Sequence, residues 1–302
     1  MQRKFFTILL FVIFFTVRGY SQTFQFNEAS FPKLFSNIET PSYITLGQGL
    51  GNIEPLVYEA NFSPEFRLSV KQFEHFGVVF TPQMIIRMYD QYSHPVRTPS
   101  YMPRGTLFYH FEDGKLANDQ FVYFTLGHHS NGQDGNLFQS DSVTLNKING
   151  SFASNYLSGG YEILTKTKGA FNPINTLRFT STYYLIKNET LRNMYGALRF
   201  FGDVESTYSF PKERSNIFKG YKAKSKLIGV MHLGWIALDM IDAKPIDLKR
   251  LIFSYTLSYQ PGFFNDVAVF ARFYYGQDYY NINFDRTLTN LQFGFSIRNF
   301  SF

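Results

Sequence analysis

Side chains that alternate between apolar and polar over runs of nine to eleven residues leave few folds open to this chain. From Leu251 the odd positions Leu251, Phe253, Tyr255, Leu257 and Tyr259 are apolar or aromatic, while Ser254, Thr256, Ser258 and Gln260 fill most of the even ones. Leu291, Phe293, Phe295 and Ile297 alternate in the same way with Asn290, Gln292, Gly294, Ser296 and Arg298, and Val267 to Tyr275 repeats the pattern less cleanly. A period of two is the signature of a strand with one greasy and one wet face, and about 9–11 residues is the length that crosses a bilayer as a tilted strand. A soluble sandwich carries the same alternation with its apolar face turned inward, so periodicity alone does not separate the two.

The two ends of the sequence favour the membrane. Met1 to Ser21 reads as a secretory signal peptide, with Arg3 and Lys4 ahead of an apolar run from Phe5 to Val17. Gly19-Tyr20-Ser21 offers the small-x-small pattern of a cleavage site after Ser21, with Gln22 as the alternative. That run is shorter than the ~20 apolar residues a helical span needs, and no other uninterrupted apolar stretch of that length follows. Phe302 closes the sequence two residues after Phe300, resembling the terminal aromatic of bacterial outer-membrane barrels. Both lie on the opposite parity from Leu291 to Ile297, which calls for a bulge near Arg298 or Asn299. The 36 Phe and 21 Tyr stand beside a single Trp, Trp235, and the mean hydropathy is slightly negative. Rich aromatic content without net hydrophobicity suits a barrel wall with one face to lipid and one to a polar lumen.

Composition excludes other classes. There are no cysteines, hence no disulfide framework, thiolate metal site or lipid anchor on an N-terminal cysteine. Loss of Arg3, Lys4 and Arg18 with the leader leaves 26 basic against 23 acidic residues, a formal +3 that implies no nucleic-acid partner. The expected organisation is a signal peptide over 1–21, an N-terminal periplasmic arm over 22–50, and an all-β, antiparallel transmembrane β-barrel of about twelve strands over 51–302. Candidate strands fall near 55–62, 66–71, 76–90, 104–111, 119–130, 143–153, 157–165, 175–187, 193–202, 225–238, 249–260, 266–276 and 289–302. One early or middle candidate is expected to be spurious, because single-chain bacterial barrels carry even strand numbers.

One motif carries chemistry. Gly127-His128-His129-Ser130-Asn131-Gly132 ends the candidate strand that begins near Asp119. His128 and Ser130 share the parity of Val122, Phe124 and Leu126, so both continue an apolar row, while His129 points the other way into lumen or loop. A serine hydroxyl becomes a nucleophile when a base removes its proton, and imidazole titrates in the right range. The base in turn needs a third group to hold its tautomer. Asn146, on the parity of Thr144, Ile148 and Phe152 in the candidate strand 143–153, can supply an amide oxygen. Asn149 and Asp141 are rivals for that role.

His-x-Ser-Asn-Gly, followed after a polar loop by an Asn entering the next strand, resembles the active site of the outer-membrane phospholipase A family. Upstream, Ser93-His94-Pro95-Val96-Arg97-Thr98-Pro99-Ser100-Tyr101 is similar to that family's Pro-x-Arg-Glu-Thr-Asn-Tyr segment, with Pro95, Arg97 and Tyr101 in corresponding places. Thr98, Pro99 and Ser100 depart from it, Leu145 replaces an aromatic, and the loop after Ser130 is about four residues longer than the family pattern. The resemblance implies a calcium-dependent hydrolase of phospholipid acyl esters (A1/A2 type) in the bacterial outer membrane, active as a homodimer. Ser130 would be the nucleophile, His128 the base and Asn146 the orienting residue. Gln133 and Ser142 would be calcium ligands from the loop, Ser93 one from the partner chain, and Gln83 a polar residue of the dimer contact. The alternatives are a lipid A deacylase, which shares a His-x-Ser-Asn signature, and a non-catalytic barrel or porin.

Overall fold

The alternation is realised as a wall. In the computed structural model, which describes residues 41–52, 54–69, 75–111, 119–166, 174–210, 213–214, 222–238, 240–241, 243–264 and 266–297, the main strands are as follows. β1 is Ser42–Thr45, β2 Leu56–Phe62, β3 Phe66–Ser69, β4 Phe76–Tyr89, β5 Ser100–Phe111, β6 Asp119–Ser130, β7 Ala153–Lys166 and β8 Ile174–Leu185. After them come β9 Leu198–Ser209, the short pair β10 Glu213–Arg214 and β11 Lys222–Ala223, then β12 Lys226–Ile236, β13 Leu251–Gln260, β14 Val267–Gln277 and β15 Thr287–Ile297. Thirteen of them form one antiparallel sheet in the order β2-β1-β15-β14-β13-β12-β9-β8-β7-β6-β5-β4-β3, and a further β2–β4 pairing joins its ends. β2 lies opposite Met84–Tyr89 and β3 opposite Gly77–Phe80. The two therefore occupy one position in the circuit, and the result is a closed antiparallel barrel of twelve strands. Closure leaves no edge, which is what a hydrocarbon environment demands of backbone N–H and C=O groups.

Exposure follows the predicted parity. Tyr255, Leu257 and Tyr259 of β13 and Phe293 and Phe295 of β15 are 42–45% exposed, whereas Asn290, Gln292 and Ser296 are nearly inaccessible inside. The same holds on β4 and β6, where Val78, Phe80, Val122, Phe124 and Leu126 look outward. No helix among the described residues is long and apolar enough to cross a membrane.

The lumen is polar and tied together. Arg87 on β4 donates to Glu59 (2.7 Å), Asp278 (3.0 Å) and Glu54 (3.2 Å) and lies over the ring of Tyr280. Arg272 on β14 donates to the Tyr43 hydroxyl and shares Glu59. Burying charge without partners is prohibitively expensive, so the inward arginines and carboxylates come as a network. Below it a cavity of about 460 Å³ is lined by groups such as Thr125, Arg178, Asp203, His232 and Ser254.

At the end of the barrel that carries Ser130, segments 131–152, 186–197 and 278–286 fold inward over the mouth. Leu145 and Phe152, Ile186, Leu191 and Tyr195, and Tyr280, Ile282 and Phe284 form one buried cluster with Ile85 of the wall. A short helix, α1 (Glu189–Tyr195), is capped by Asn188, whose side chain accepts from the Leu191 amide, and stops at Gly196, φ 84°. Its last residue, Tyr195, is thereby delivered to the lumenal side of β6.

Two expectations are corrected. Residues 143–153, read as a strand, are loop as far as Gly150, and β7 begins only at Ala153. Phe152, read on the outward row of that strand, instead joins Leu145 in the buried cluster at the mouth. Ser42–Thr45, placed with the arm, pairs with β15 and β2 and so belongs to the wall. The leader, the arm up to residue 40, and the terminal Phe300 and Phe302 lie outside the described residues.

Candidate functional site

β6 delivers the motif to the outer surface. Val122, Phe124 and Leu126 are 38%, 48% and 56% exposed, and half-buried His128 and Ser130 extend the same row toward the mouth. His129 between them faces the lumen and is 7% exposed. The β6–β7 register sets His128 directly opposite Asn155, and their side chains meet with Nδ1 2.8 Å from Oδ1. An amide oxygen only accepts, so Nδ1–H is the donor and Nε2 is left bare on the side of the ring away from Asn155. That is the tautomer able to take a proton from an alcohol.

Ser130 lies opposite Tyr101 on β5 and Ala153 on β7. The chain then turns through Gly132 at φ 69°, a left-handed conformation that glycine adopts without strain. The Tyr101 ring lies against that glycine: a Cβ there would stand 3.1 Å from Cε2. Asn131, 2% exposed, fixes the turn by donating to the Gly150 carbonyl (2.8 Å) and accepting from the Phe152 amide (3.0 Å). Gln133 donates to the Thr98 hydroxyl at 2.9 Å, which brings the loop beyond β6 against the upstream segment. Thus Thr98 and Tyr101 both bear on the turn after Ser130, while Arg97 sits over Tyr89, within the mouth.

Asn146 does not reach the imidazole. Its Nδ2 donates to Asn149 Oδ1 (2.7 Å) and the Asn136 carbonyl, and its Oδ1 accepts from the amides of Ile148 and Asn149. All its hydrogen-bonding capacity goes into shaping the loop, and Asn149 is consumed in the same contact. Asp141 closes its own turn, accepting from Val143 N, Thr144 N and Thr144 Oγ1. These bonds, the Thr144 hydroxyl foremost, hold its carboxyl below the ordinary aspartate range. The group that meets His128 is Asn155, which sequence reasoning missed because it began this strand at residue 157. Counting back two residues from Leu157 on the outward parity would have found it.

Gln83 is also corrected. It faces the lumen, donating to Asn61 Oδ1 at 2.9 Å and accepting from Arg104, and so has no access to an outer-wall dimer contact. Of the expected calcium ligands, Gln133 is tied to Thr98 in the turn after β6, while Ser142 sits in the Gln139–Thr144 turn and Ser93 in the loop after β4. Ser93 and Ser142 both have left-handed backbones, φ 67° and 58°. Among the described residues no group of three or more His, Cys, Asp or Glu side chains gathers as a metal site would need, so calcium here would rely on neutral and backbone oxygens. Gln133 and Ser142 belong to the segment between β6 and β7, and Ser93 to the loop after β4.

The fold and site define a transmembrane β-barrel that presents a histidine, a serine and an asparagine together on its lipid-facing wall. No family description matches the chain, and no curated protein matches it. Among solved structures it is similar to outer membrane phospholipase A from Escherichia coli, with 14% identity over 86% of this chain and 90% of that chain and a TM-score of 0.48. A likeness that distant assigns neither residues nor activity.

Proposed function

We propose that this protein is an outer-membrane serine hydrolase that cleaves acyl esters of phospholipids from the lipid-facing side of its barrel. The observation that carries the proposal is the Nδ1–H···Oδ1 bond between His128 and Asn155, 2.8 Å long, on the outward row that ends at Ser130. Polar side chains on a lipid-facing wall are costly, and the bond to Asn155 leaves His128 Nε2 as the nitrogen that can accept a proton. As Ser130 Oγ attacks the ester carbonyl, its proton passes to His128 Nε2, and Asn155 keeps the ring oriented as it becomes imidazolium. The proton then goes to the departing glycerol oxygen, leaving an acyl-Ser130. Water, deprotonated by the same nitrogen, releases the fatty acid.

The acyl chain can lie along Leu126, Phe124 and Val122, which places the ester beside Ser130 without leaving the membrane. The Gly132 amide, at the turn, is the backbone donor we assign to the developing oxyanion. Calcium, when bound, would be held by Gln133 and Ser142 with Ser93 of a second copy, and would add charge to that stabilisation. Homodimerisation is proposed on the same footing, with Ser93 reaching across from a second copy.

Fatty-acid release from phosphatidylethanolamine and from lipopolysaccharide, each with and without chelator, tests the reading. Release from phospholipid that disappears in Ser130→Ala is expected. Release from lipopolysaccharide alone points to lipid A deacylation, and no release from either leaves a passive barrel.

A further inference from the structure

The residue between the two reacting groups has no part in the chemistry above, yet it is among the most firmly held in the strand. His129 is buried on the lumenal face with both ring nitrogens occupied: Nε2 lies 2.7 Å from Ser100 Oγ and Nδ1 2.9 Å from the Tyr195 hydroxyl. Ser100 is 1% exposed and also accepts from the Asn281 amide at 3.2 Å. Tyr195 is 6% exposed, and its carbonyl receives Arg199 and Gln277. The ring therefore bridges β5 on one side and α1 on the other.

A second observation shows why such a bridge is needed. The β5–β6 pairing runs from Phe111↔Gln120 up to Arg104↔Gly127 and resumes only at Tyr101↔Ser130. Met102 and Pro103 are skipped, and proline has no N–H to contribute. The backbone ladder on that side of β6 is thus interrupted beside His128 and His129, where the site is built.

Successive residues of a strand project to opposite faces. Roll of the strand about its axis at residue 129 swings His128 and Ser130 together, and moves His128 Nδ1 relative to the Asn155 oxygen it donates to, on a neighbouring strand that does not roll with it. We propose that Ser100, His129 and Tyr195 form a positioning strut that fixes the roll of β6 from the lumenal side and so holds the His128 imidazole in register with Asn155 on the lipid side. This rests on the hydrolase reading. None of the three touches substrate.

The experiment uses the full-length barrel folded in detergent, with Ser100→Ala and Tyr195→Phe as single changes at opposite ends of the ring. Folding is checked by heat-modifiable gel mobility, Ser130 reactivity by the rate of labelling with a long-chain sulfonyl fluoride, and turnover with a micellar acyl ester. Each variant is expected to fold, to slow labelling about tenfold and to lower kcat about tenfold with KM little changed. If one variant fails to fold, the other decides. Folded variants that label at the wild-type rate overturn the strut while leaving the hydrolase intact. If neither variant folds, the ring is a stability element and the positioning role is overturned. A wild-type protein whose Ser130 is not labelled overturns the hydrolase reading and the strut with it.

Discussion

Replacing Asn155 by Ala, set beside the same change at Asn146, separates two assignments that differ only in which amide faces the imidazole. Asn155 accepts one hydrogen bond from His128 at 2.8 Å, and that bond strengthens as the ring becomes positively charged. A hydrogen bond to a charged group contributes about 1.5–3 kcal/mol. At ~1.36 kcal/mol per tenfold in rate, its loss lowers kcat roughly 10- to 150-fold. Ground-state contact with the lipid is untouched, so KM changes little. Asn146, whose amide bonds only within its loop, should affect kcat less than about threefold when truncated, since surface changes usually stay within ~0.5 kcal/mol. Initial rates of fatty-acid release from mixed micelles, for folded protein at matched concentration, provide the comparison. The reasoning is refuted if Asn155→Ala keeps more than half of wild-type kcat, or if Asn146→Ala loses more than Asn155→Ala does.

Three further outcomes follow from the wall and its contents. Arg87→Met removes the guanidinium shared by Glu54, Glu59 and Asp278, leaving Arg272 on Glu59 and Arg286 on Glu54, and should cost about 3–5 kcal/mol, read as a lower urea midpoint in lipid vesicles by the fluorescence of Trp235; an unchanged midpoint would count against the network. Phe124→Arg, on the lipid face midway along β6, should destabilise by about 2–4 kcal/mol in the same assay, and a neutral result would mean that face does not meet hydrocarbon. The depressed carboxyl of Asp141 supports its turn at pH values above the ordinary aspartate pKa of about 3.9 and loses that support as pH falls through its lower folded value. Val143 and Thr144, whose amides it holds, should therefore lose hydrogen-exchange protection only on acidification, corrected for intrinsic rate, and loss nearer neutrality would contradict the assignment.

Much of the barrel was legible because its rule is local: alternate residues face alternate media, and β13 and β15 obey that rule residue by residue. His128, Ser130 and the inward turn of His129 were read from the same parity. What escaped depends on contacts distant in sequence. Phe152 looks like an outward strand residue until Tyr280, Ile282 and Phe284, far along the chain, supply a buried place for it. Misreading that loop as a strand put Asn146 on the wall in place of Asn155. β1 escaped because four residues are too few to show periodicity, and it is held by pairing with β15 at the opposite end of the sequence. Gln83 was assigned by resemblance alone, and its parity with Arg87 already placed it inside.

His128 and Asn155 are neighbours by cross-strand registry, with twenty-four residues of chain between Ser130 and Asn155. Their spacing is dictated by the interstrand repeat of ~4.8 Å and is indifferent to how far the connecting excursion travels. Insertions or deletions between Asn136 and Lys147 could therefore remodel what greets the solvent at the rim without retuning the proton path beneath. The His128–Asn155 spacing and the rim are free to diversify independently.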